Sequence, residues 1–262
     1  MGTSIVVSAG VGLVLLAIER AFESRERHAE QSRGERQRFI TSLLSTKALR
    51  GVDLRARDLS QIFFTERDLQ DANLSGCTLS QTDFRHALLS SSTLDDCSLD
   101  EANFENADLR NARFRRAVGE DASFDGVSGH ESDWSGARLP RASFVGANLY
   151  RSTLKSVRMQ GGDFKRANLS ESEAAGASFS RGDFRTAMLR EADLAGVDLR
   201  DCDMRGADLS HANLDSSDVR GCDFTDCRLD GATVNDVVWD QGTRWPSGFT
   251  PLPQSGEERH VP

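Results

Sequence analysis

The hydrophobic residues of this chain recur at every fifth position, a spacing that fits neither an α-helix nor a β-strand. Segment 192–214, ADLAGVDLRDCDMRGADLSHANL, divides into groups of five in which Leu or Met follows Asp or Asn, and a small residue precedes that pair. An α-helix places apolar residues on one face at steps of three and four, and a strand alternates at two. A strict step of five therefore indicates a structural repeat, from which the secondary structure must follow.

This register continues without insertion through most of the chain. From Leu49 to Trp239 it defines 39 central positions, and all except Gly119, Gly129 and Ala174 are Leu, Phe, Met, Val or Trp. One set of central positions, read at every twentieth residue, is almost entirely phenylalanine: Phe64, Phe84, Phe104, Phe124, Phe144, Phe164, Phe184, Met204 and Phe224. Four groups of five therefore predict one coil of a four-sided solenoid, with residues twenty apart stacked roughly 4.8 Å from each other as in a parallel ladder.

The three small residues at central positions support side chains that point inward. Gly119 and Gly129 fall in the coil whose other two sides carry Phe114 and Phe124. Two rings facing each other across a narrow interior leave no room for further large side chains, because protein interiors are close-packed. Ala174 lies in another coil with two phenylalanines and follows the same rule. We therefore predict that the phenylalanine set forms the structural core.

Individual groups match a known repeat, written A(D/N)LxX. Examples are ANLSG at Ala72, ADLRN at Ala107, ANLYR at Ala147, ADLSH at Ala207 and ANLDS at Ala212. In these groups the chain resembles the pentapeptide-repeat family, and the resemblance covers about 190 of its 262 residues. It implies an all-β solenoid, a right-handed quadrilateral parallel β-helix, which the repeat count extends to about ten coils. The resemblance implies little about function, since members range from DNA-imitating topoisomerase inhibitors to proteins of unassigned role.

The N-terminal segment differs from the repeat. Residues 1–18 contain no charged side chain, and as a helix they would span about 27 Å, enough to cross a bilayer. No Lys or Arg precedes this segment and six Arg follow between residues 20 and 38, so the positive-inside rule places the repeat in the cytoplasm. The sequence thus predicts a single-pass cell-membrane protein anchored by 1–18, with a helix packed on protein as the alternative.

The remaining segments are predicted to close the ends of the solenoid, whose repeats occupy 46–240. Residues 19–45 read as a charged helical stalk and N-terminal cap. Apolar residues near the end of this stalk are placed to cover the first coil: Phe39, Ile40, Leu43 and Leu44. Residues 241–262 read as a C-terminal cap and a disordered tail rich in Pro and charge. Aromatic residues are placed to cover the last coil: Trp239, Trp245 and Phe249.

The residue types that often act in catalysis or metal binding occur here at fixed positions of the repeat. All five cysteines stand at the small position two before the centre, where Ala is commonest: Cys77, Cys97, Cys202, Cys222 and Cys227. Stacked cysteines fall within disulfide range, but replacement of alanine in an inward slot is the simpler interpretation. Asn replaces the Asp before the centre freely, as expected for hydrogen bonding to turns. No nucleotide, hydrolase or metal motif occurs. We expect no enzyme activity, no cofactor and no metal.

Function is therefore expected on the outer surface of the solenoid. The repeat is acidic overall, yet segment 138–190 carries a net charge of +6 between −7 in 91–137 and −9 in 191–240. This basic belt is the candidate interaction surface: Arg138, Arg141, Arg151, Lys155, Arg158, Lys165 and Arg166. The interpretation we favour is a noncatalytic membrane-tethered scaffold that presents a charged rod to an unidentified protein partner.

The family resemblance supplies an alternative, a DNA-mimicking binder or inhibitor of a type II topoisomerase such as DNA gyrase. Imitating DNA requires a long continuous negative field, and the basic belt interrupts it. Direct nucleic-acid binding is not expected. Two routes to a homodimer stay open: contact between C-terminal caps, or pairing of two N-terminal helices along Ser4, Ser8 and Gly12.

Overall fold

The computed structural model describes residues 34–43, 45 and 49–249, which fall in two compact units, Met1–Lys47 and Ala48–Pro262. The first unit contributes one described helix, over 34–43, with Ser45 also helical. No helix within these described ranges is long and apolar enough to span a membrane. The predicted single-pass membrane localisation is therefore wrong, because the described helix is far shorter than the roughly 20 residues that a span requires. Residues 1–18, which suggested the anchor, lie outside the described residues, as do 19–33.

The second unit is a right-handed quadrilateral parallel β-helix, so the predicted fold is confirmed. Each side contributes one bridging residue, directly before the central residue, at every fifth position from 53 to 238 and then at 244. Asp53 pairs in parallel with Asn73, and the pairing repeats at steps of twenty. The Leu54 N–H donates to the carbonyl oxygen of Asn73 at 2.8 Å, and the Asn73 N–H donates to that of Val52 at 2.9 Å. Adjacent coils are thus held together along all four sides.

We number the four faces of the solenoid by their central residues. The first face begins at Leu49, the second at Leu54, the third at Leu59 and the fourth at Phe64, and each continues at steps of twenty. The two residues after each centre and the one before it point outward, whereas the centre and the residue two before it point into the core.

The corners between faces are β-turns, with a bend at 120–121, and from 51 to 236 each contains one left-handed residue. The Arg67 N–H donates to the carbonyl oxygen of Phe64 at 3.0 Å and closes such a turn. The third turn residue, at every fifth position from 51 to 236, has φ between 54° and 72°, and 27 of these residues are not glycine. Positive φ at that place marks a type II turn, and it costs an L-residue roughly 1–2 kcal/mol. Contacts between coils offset this cost: the Ala56 N–H donates to the carbonyl oxygen of Ser75 at 2.9 Å.

The phenylalanine set forms a continuous column inside the fourth face. All eight rings are at most 1% exposed. From Phe64 to Phe184 successive rings stack with centroids 4.7 to 5.1 Å apart. Met204 interrupts the column, and Phe224 resumes it. The column places an aromatic ring at the spacing of the backbone ladder in nearly every coil.

The small central residues lie in coils whose interior also holds two phenylalanine rings. Phe114 meets Phe124 edge to face, with centroids 5.8 Å apart, as the volume argument requires. A Cβ on Gly129 would stand 3.0 Å from Cδ2 of Leu149. At Gly119 the reason differs from the expected one: a Cβ there would lie 2.7 Å from the carbonyl carbon of Leu99. Close approach of two backbones, rather than a ring, excludes a side chain at that position.

The register of five changes at the C-terminal end. Asp223 pairs with Arg244, one residue further than the step of twenty. The extra residue is held by a turn in which the Asp240 carboxylate accepts the Gly242 N–H at 2.9 Å. Trp245 consequently stacks on Phe224 at 5.0 Å and extends the aromatic column, and Phe249 packs against Trp245 at 5.1 Å.

Candidate interaction surface

The buried thiols are part of the core packing. All five cysteines are free and buried, and each thiol lies within hydrogen-bond distance of a carbonyl oxygen on the coil below, as Cys77 does to Leu54 at 3.0 Å. Burial raises the pKa of Cys97 and of Cys227 to about 12. Thiols with such pKa values are poor nucleophiles near neutral pH. Within the described ranges, no cluster of His, Cys, Asp or Glu is placed to hold a metal ion.

Most outward aspartates before a central residue support the turn that follows. The Asp83 carboxylate accepts the backbone N–H of Arg85 at 3.0 Å and also binds its guanidinium at 2.7 to 3.1 Å. These hydrogen bonds lower the pKa of Asp83 despite its burial. The same intracoil clamp recurs in seven places: Asp53–Arg55, Asp83–Arg85, Asp108–Arg110, Asp183–Arg185, Asp198–Arg200, Asp203–Arg205 and Asp218–Arg220. Charge that is neutralised within a coil contributes little to recognition.

The seven residues of the basic belt are spread around the solenoid instead of forming one surface. Three of them that lie outside the third face are neutralised by carboxylates at 2.6 to 2.8 Å: Arg151 by Glu171, Lys155 by Glu173 and Lys165 by Asp163. Arg166 is exposed at the corner between the fourth and first faces. The belt is continuous along the sequence, but the four-sided coil distributes it over every face.

The other three belt residues share the third face with an arginine that the sequence analysis missed. Together they form the arginine patch: Arg138, Arg141, Arg158 and Arg181. Arg138 and Arg158 are bridge partners in adjacent coils. Arg181 stands in the same corner column as Arg141, forty residues later. A window read along the chain does not reveal this alignment, whereas reading every twentieth residue does.

The patch contains guanidinium groups without an acidic partner. All four arginines are exposed. Among the described residues, Arg138, Arg158 and Arg181 form no ion pair, whereas Arg141 binds both oxygens of Asp121 at 2.8 Å and also contacts Glu120. The outward positions between the arginines carry no acid. Two of the arginines and three residues between them border a groove of about 300 Å³: Pro140, Arg141, Gln160, Gly161 and Arg181.

The two coils before the patch carry the opposite charge on the same face. Their outward carboxylates form what we call the acidic block: Asp100, Glu101, Glu120 and Asp121. The Asp100 carboxylate accepts the Glu120 N–H at 3.0 Å. The guanidinium of Arg141 lowers the pKa of Asp121 through its hydrogen bonds. The third face therefore changes sign abruptly between residues 121 and 138.

Comparison with known proteins identifies the repeat. The family described as "Pentapeptide repeat region" matches residues 50–124 and 67–144, and "Pentapeptide repeats (8 copies)" matches 130–161, 167–206 and 202–237. No curated protein matches the chain.

Several solved structures are similar to this chain. HetL, a protein involved in heterocyst differentiation regulation from the cyanobacterium Nostoc, is 26% identical over 79% of this chain and 95% of its own, with a TM-score of 0.46. A trypsin-treated form of QnrB1, a plasmid-mediated fluoroquinolone resistance protein, is 20% identical over 72% and 92%, with a TM-score of 0.47. Rfr23 from the cyanobacterium Cyanothece is 30% identical over 41% and 63%, with a TM-score of 0.19.

Proposed function

Since the chain belongs to the pentapeptide repeat family, we propose that it is a noncatalytic interaction module whose arginine patch docks an acidic protein surface. The observation that supports this proposal is the set of three exposed arginines in successive coils that have no carboxylate partner in the described residues. Guanidinium groups bind carboxylates with two parallel hydrogen bonds, which adds geometric specificity to the charge attraction.

The rigidity of the ladder favours recognition by such a patch. The bridge between Arg138 and Arg158 fixes their backbones in adjacent coils, roughly 4.8 Å apart. A partner that binds them does not have to order a loop, and preorganisation of this kind reduces the entropy lost on association. Unpaired charge on one face also accelerates encounter with an oppositely charged partner.

The noncatalytic part of the proposal is supported by the roles of the reactive groups. The thiols are buried in alanine slots, and burial raises the pKa of Cys97 to about 12. The carboxylates before the central residues hold turns and arginines, as in the pair of Asp203 with Arg205 at 2.5 Å. These thiols and carboxylates stabilise the coil. Recognition by exposed side chains is therefore the function that the geometry best supports.

Site-specific photo-crosslinking tests the proposed surface. A photoreactive residue replaces Gln160, which lies between the arginines on the third face, or Ser170, which holds the corresponding position on the first face. We expect protein adducts from position 160 and none from position 170 in cells that produce the chain. Equal adducts from the two positions, or none from position 160, would contradict the proposal.

Charge reversal provides the matched comparison. Arg138→Glu with Arg158→Glu should remove the adducts formed through position 160. Lys155→Glu with Arg166→Glu changes the net charge by the same amount on other parts of the coil and should leave those adducts unchanged. All four side chains are exposed, so these substitutions should change stability little.

The distribution of carboxylates argues against the DNA-mimicking alternative. In 191–240, acids outside the ion pairs lie on different sides of the coil: Asp193 on the second face, Asp201 at the corner after the third and Asp230 on the first. A phosphate backbone presents its charges in continuous rows. A gyrase supercoiling assay separates the two functions, because a DNA mimic inhibits supercoiling and a module that acts through its arginines does not.

A further inference from the structure

The third face has a charge pattern that is complementary to itself. Its outward residues form rows, one for each coil, and six consecutive rows span 78–81 to 178–181. Row 78–81 is uncharged, the next two rows contain the acidic block, and the last three contain the arginine patch. Four carboxylates are followed by four guanidinium groups, so this stretch is neutral overall but polarised along the solenoid axis. Arg141 already pairs with Glu120 and Asp121 of its own copy, and the charges outside these pairs are Asp100, Glu101, Arg138, Arg158 and Arg181.

We propose that the arginine patch docks on the acidic block of a second copy of this chain, in an antiparallel side-by-side dimer. The two-fold axis lies in the plane of contact, perpendicular to the solenoid, and passes between rows 118–121 and 138–141. This arrangement is isologous, because the same face is used by both copies. The inference rests on the proposed function, since it names the partner of the same arginine patch.

The antiparallel arrangement brings rows of opposite charge together. Row 138–141 faces row 118–121 of the second copy, and row 158–161 faces row 98–101. Row 178–181, which contains Arg181, faces the uncharged row 78–81 of the second copy. Glu101 of that copy lies in the adjacent row. Both copies have the same row spacing, roughly 4.8 Å, so the match does not drift along the interface. An unrelated acidic protein has no reason to repeat that spacing.

An exposed apolar residue lies next to the two-fold axis. Val118 is 42% exposed and occupies the same column as Arg138 in the adjacent coil. In the dimer, the aliphatic part of Arg138 from the second copy covers Val118, and its guanidinium reaches toward Glu120. Long basic side chains commonly bury their stems on apolar surface while the charge stays with a polar partner.

The complementarity has a clear boundary at each end. The next rows outward are 58–61, with Asp58, and 198–201, with Asp198, Arg200 and Asp201. Each of these rows carries one net negative charge, so they do not attract each other. The attractive stretch is therefore restricted to six rows, and a sliding displacement by two or more rows would oppose like charges.

The size of this stretch predicts a weak and salt-sensitive dimer. Six rows extend about 29 Å along the axis, and a side about three extended residues wide measures roughly 10 Å. The contact of about 300 Å² per copy is well below the roughly 800 Å² per partner of a standard stable complex. Exposed charge pairs are screened by salt. We expect rapid exchange and association in the micromolar range or weaker at low ionic strength.

Sedimentation velocity of the full chain over a range of concentrations tests the dimer. We expect concentration-dependent dimers at low salt that dissociate when the ionic strength is raised to about 0.5 M, where the Debye length is only a few ångströms. Arg138→Glu with Arg158→Glu, and separately Glu101→Lys with Glu120→Lys, should each weaken association at least tenfold. The control pair Lys155→Glu with Arg166→Glu should have no such effect.

Mixing the two charge-reversed variants identifies the antiparallel geometry. The first variant keeps the acidic rows 98–101 and 118–121, while its rows 138–141 and 158–161 have net charges of 0 and −1. The second keeps the basic rows, while its rows 98–101 and 118–121 become neutral, so neither variant retains rows of opposite charge that face each other in its own dimer. In the mixture the two acidic rows of the first variant face rows 158–161 and 138–141 of the second, which restores one of the two symmetry-related halves of the contact. We therefore expect a heterodimer that is weaker than the wild-type dimer and tighter than either variant alone. A wild-type chain that stays monomeric at low salt, or variants that dimerise as wild type does, would overturn the inference, as would a mixture that associates no more strongly than either variant alone.

The proposed function and this inference fail in different ways. Adducts from position 160 that contain a different protein, from a chain that stays monomeric in sedimentation, would overturn the dimer and retain the interaction module. Adducts with twice the mass of the chain would support both. The absence of any adduct together with a monomeric chain would overturn both.

Discussion

Replacement of Phe144 by Ala tests the origin of the stability of the solenoid. Phe144 is fully buried and stacks on Phe124 at 4.8 Å and on Phe164 at 5.1 Å. Trp134 meets it edge to face at 5.4 Å. The substitution therefore removes three ring contacts and opens a cavity in the middle of a continuous column.

The geometry places the cost at the upper end of the usual range. Replacing a buried Phe by Ala costs about 3–5 kcal/mol in the free energy of unfolding, depending on how far the site can collapse. Collapse is restricted here, because backbone hydrogen bonds such as that from the Phe144 N–H to the Asp163 carbonyl, at 2.7 Å, fix the coil spacing. Loss of favourable ring pairs adds to the cavity term. We expect a loss of about 4–5 kcal/mol.

Chemical denaturation measures this loss, with tryptophan fluorescence, to which the buried Trp134 contributes together with Trp239 and Trp245, as one signal and circular dichroism as a second. Solenoids can unfold in parts, so agreement between the two signals is required before a free energy is extracted. Phe144→Leu should cost less than the alanine variant, because Leu keeps most of the volume while losing the rings. Arg158→Ala, at an exposed position in a neighbouring coil, should cost under about 0.5 kcal/mol. A loss below about 2 kcal/mol for Phe144→Ala, or equal losses at the two sites, would show that the ring column does not carry the stability of these coils.

Three further predictions concern the column, the clamps and the thiols. Met204→Phe should change stability by less than about 1 kcal/mol, measured by denaturation, because a Phe there completes the column; a large loss would mean that its coil is too narrow. Stability should fall as the pH is lowered from about 5 to 3. Hydrogen bonds from Arg205 lower the pKa of Asp203 below its ordinary value of 3.8. The stabilisation that Asp203 contributes is therefore complete above its pKa in the unfolded chain and is lost as the carboxylate is protonated in the folded chain. Arg205→Ala should flatten that dependence, and an unchanged pH profile would contradict the clamp. The thiols of the native chain should resist iodoacetamide at about pH 8, since burial raises the pKa of Cys97 to about 12, and mass spectrometry should find alkylation only after unfolding.

The fold could be predicted because its determinants are local and periodic. A central residue must be apolar in each group of five, and the step of twenty shows which groups share a side. The turn conformation was less visible, since 27 of the left-handed positions carry residues other than glycine. Ala56 accepts a positive φ of 54° because the next coil holds its backbone, where the Ser75 carbonyl oxygen accepts the Ala56 N–H at 2.9 Å. The register change after Trp239 was also hidden, because it depends on a single turn around Asp240.

The candidate surface could be predicted only in part, because proximity in a solenoid does not follow proximity in sequence. Arg151 and Lys155 belong to the basic belt in sequence, yet each lies outside the third face and pairs with a carboxylate of the next coil. Arg181 lies outside the dense basic run but stands in the column of Arg141.

Residues that share a face recur at steps of twenty, so the charge that a partner meets is a sum over columns. A net charge taken over a window of the chain averages four unrelated surfaces. The change in sign of the charge on the third face becomes visible only when the residues are grouped by face rather than by sequence segment. In this architecture, a change of one residue in the register would move every later side chain to a different position on the coil. The regular step from 49 to 239 therefore determines the recognition surface as much as the stability.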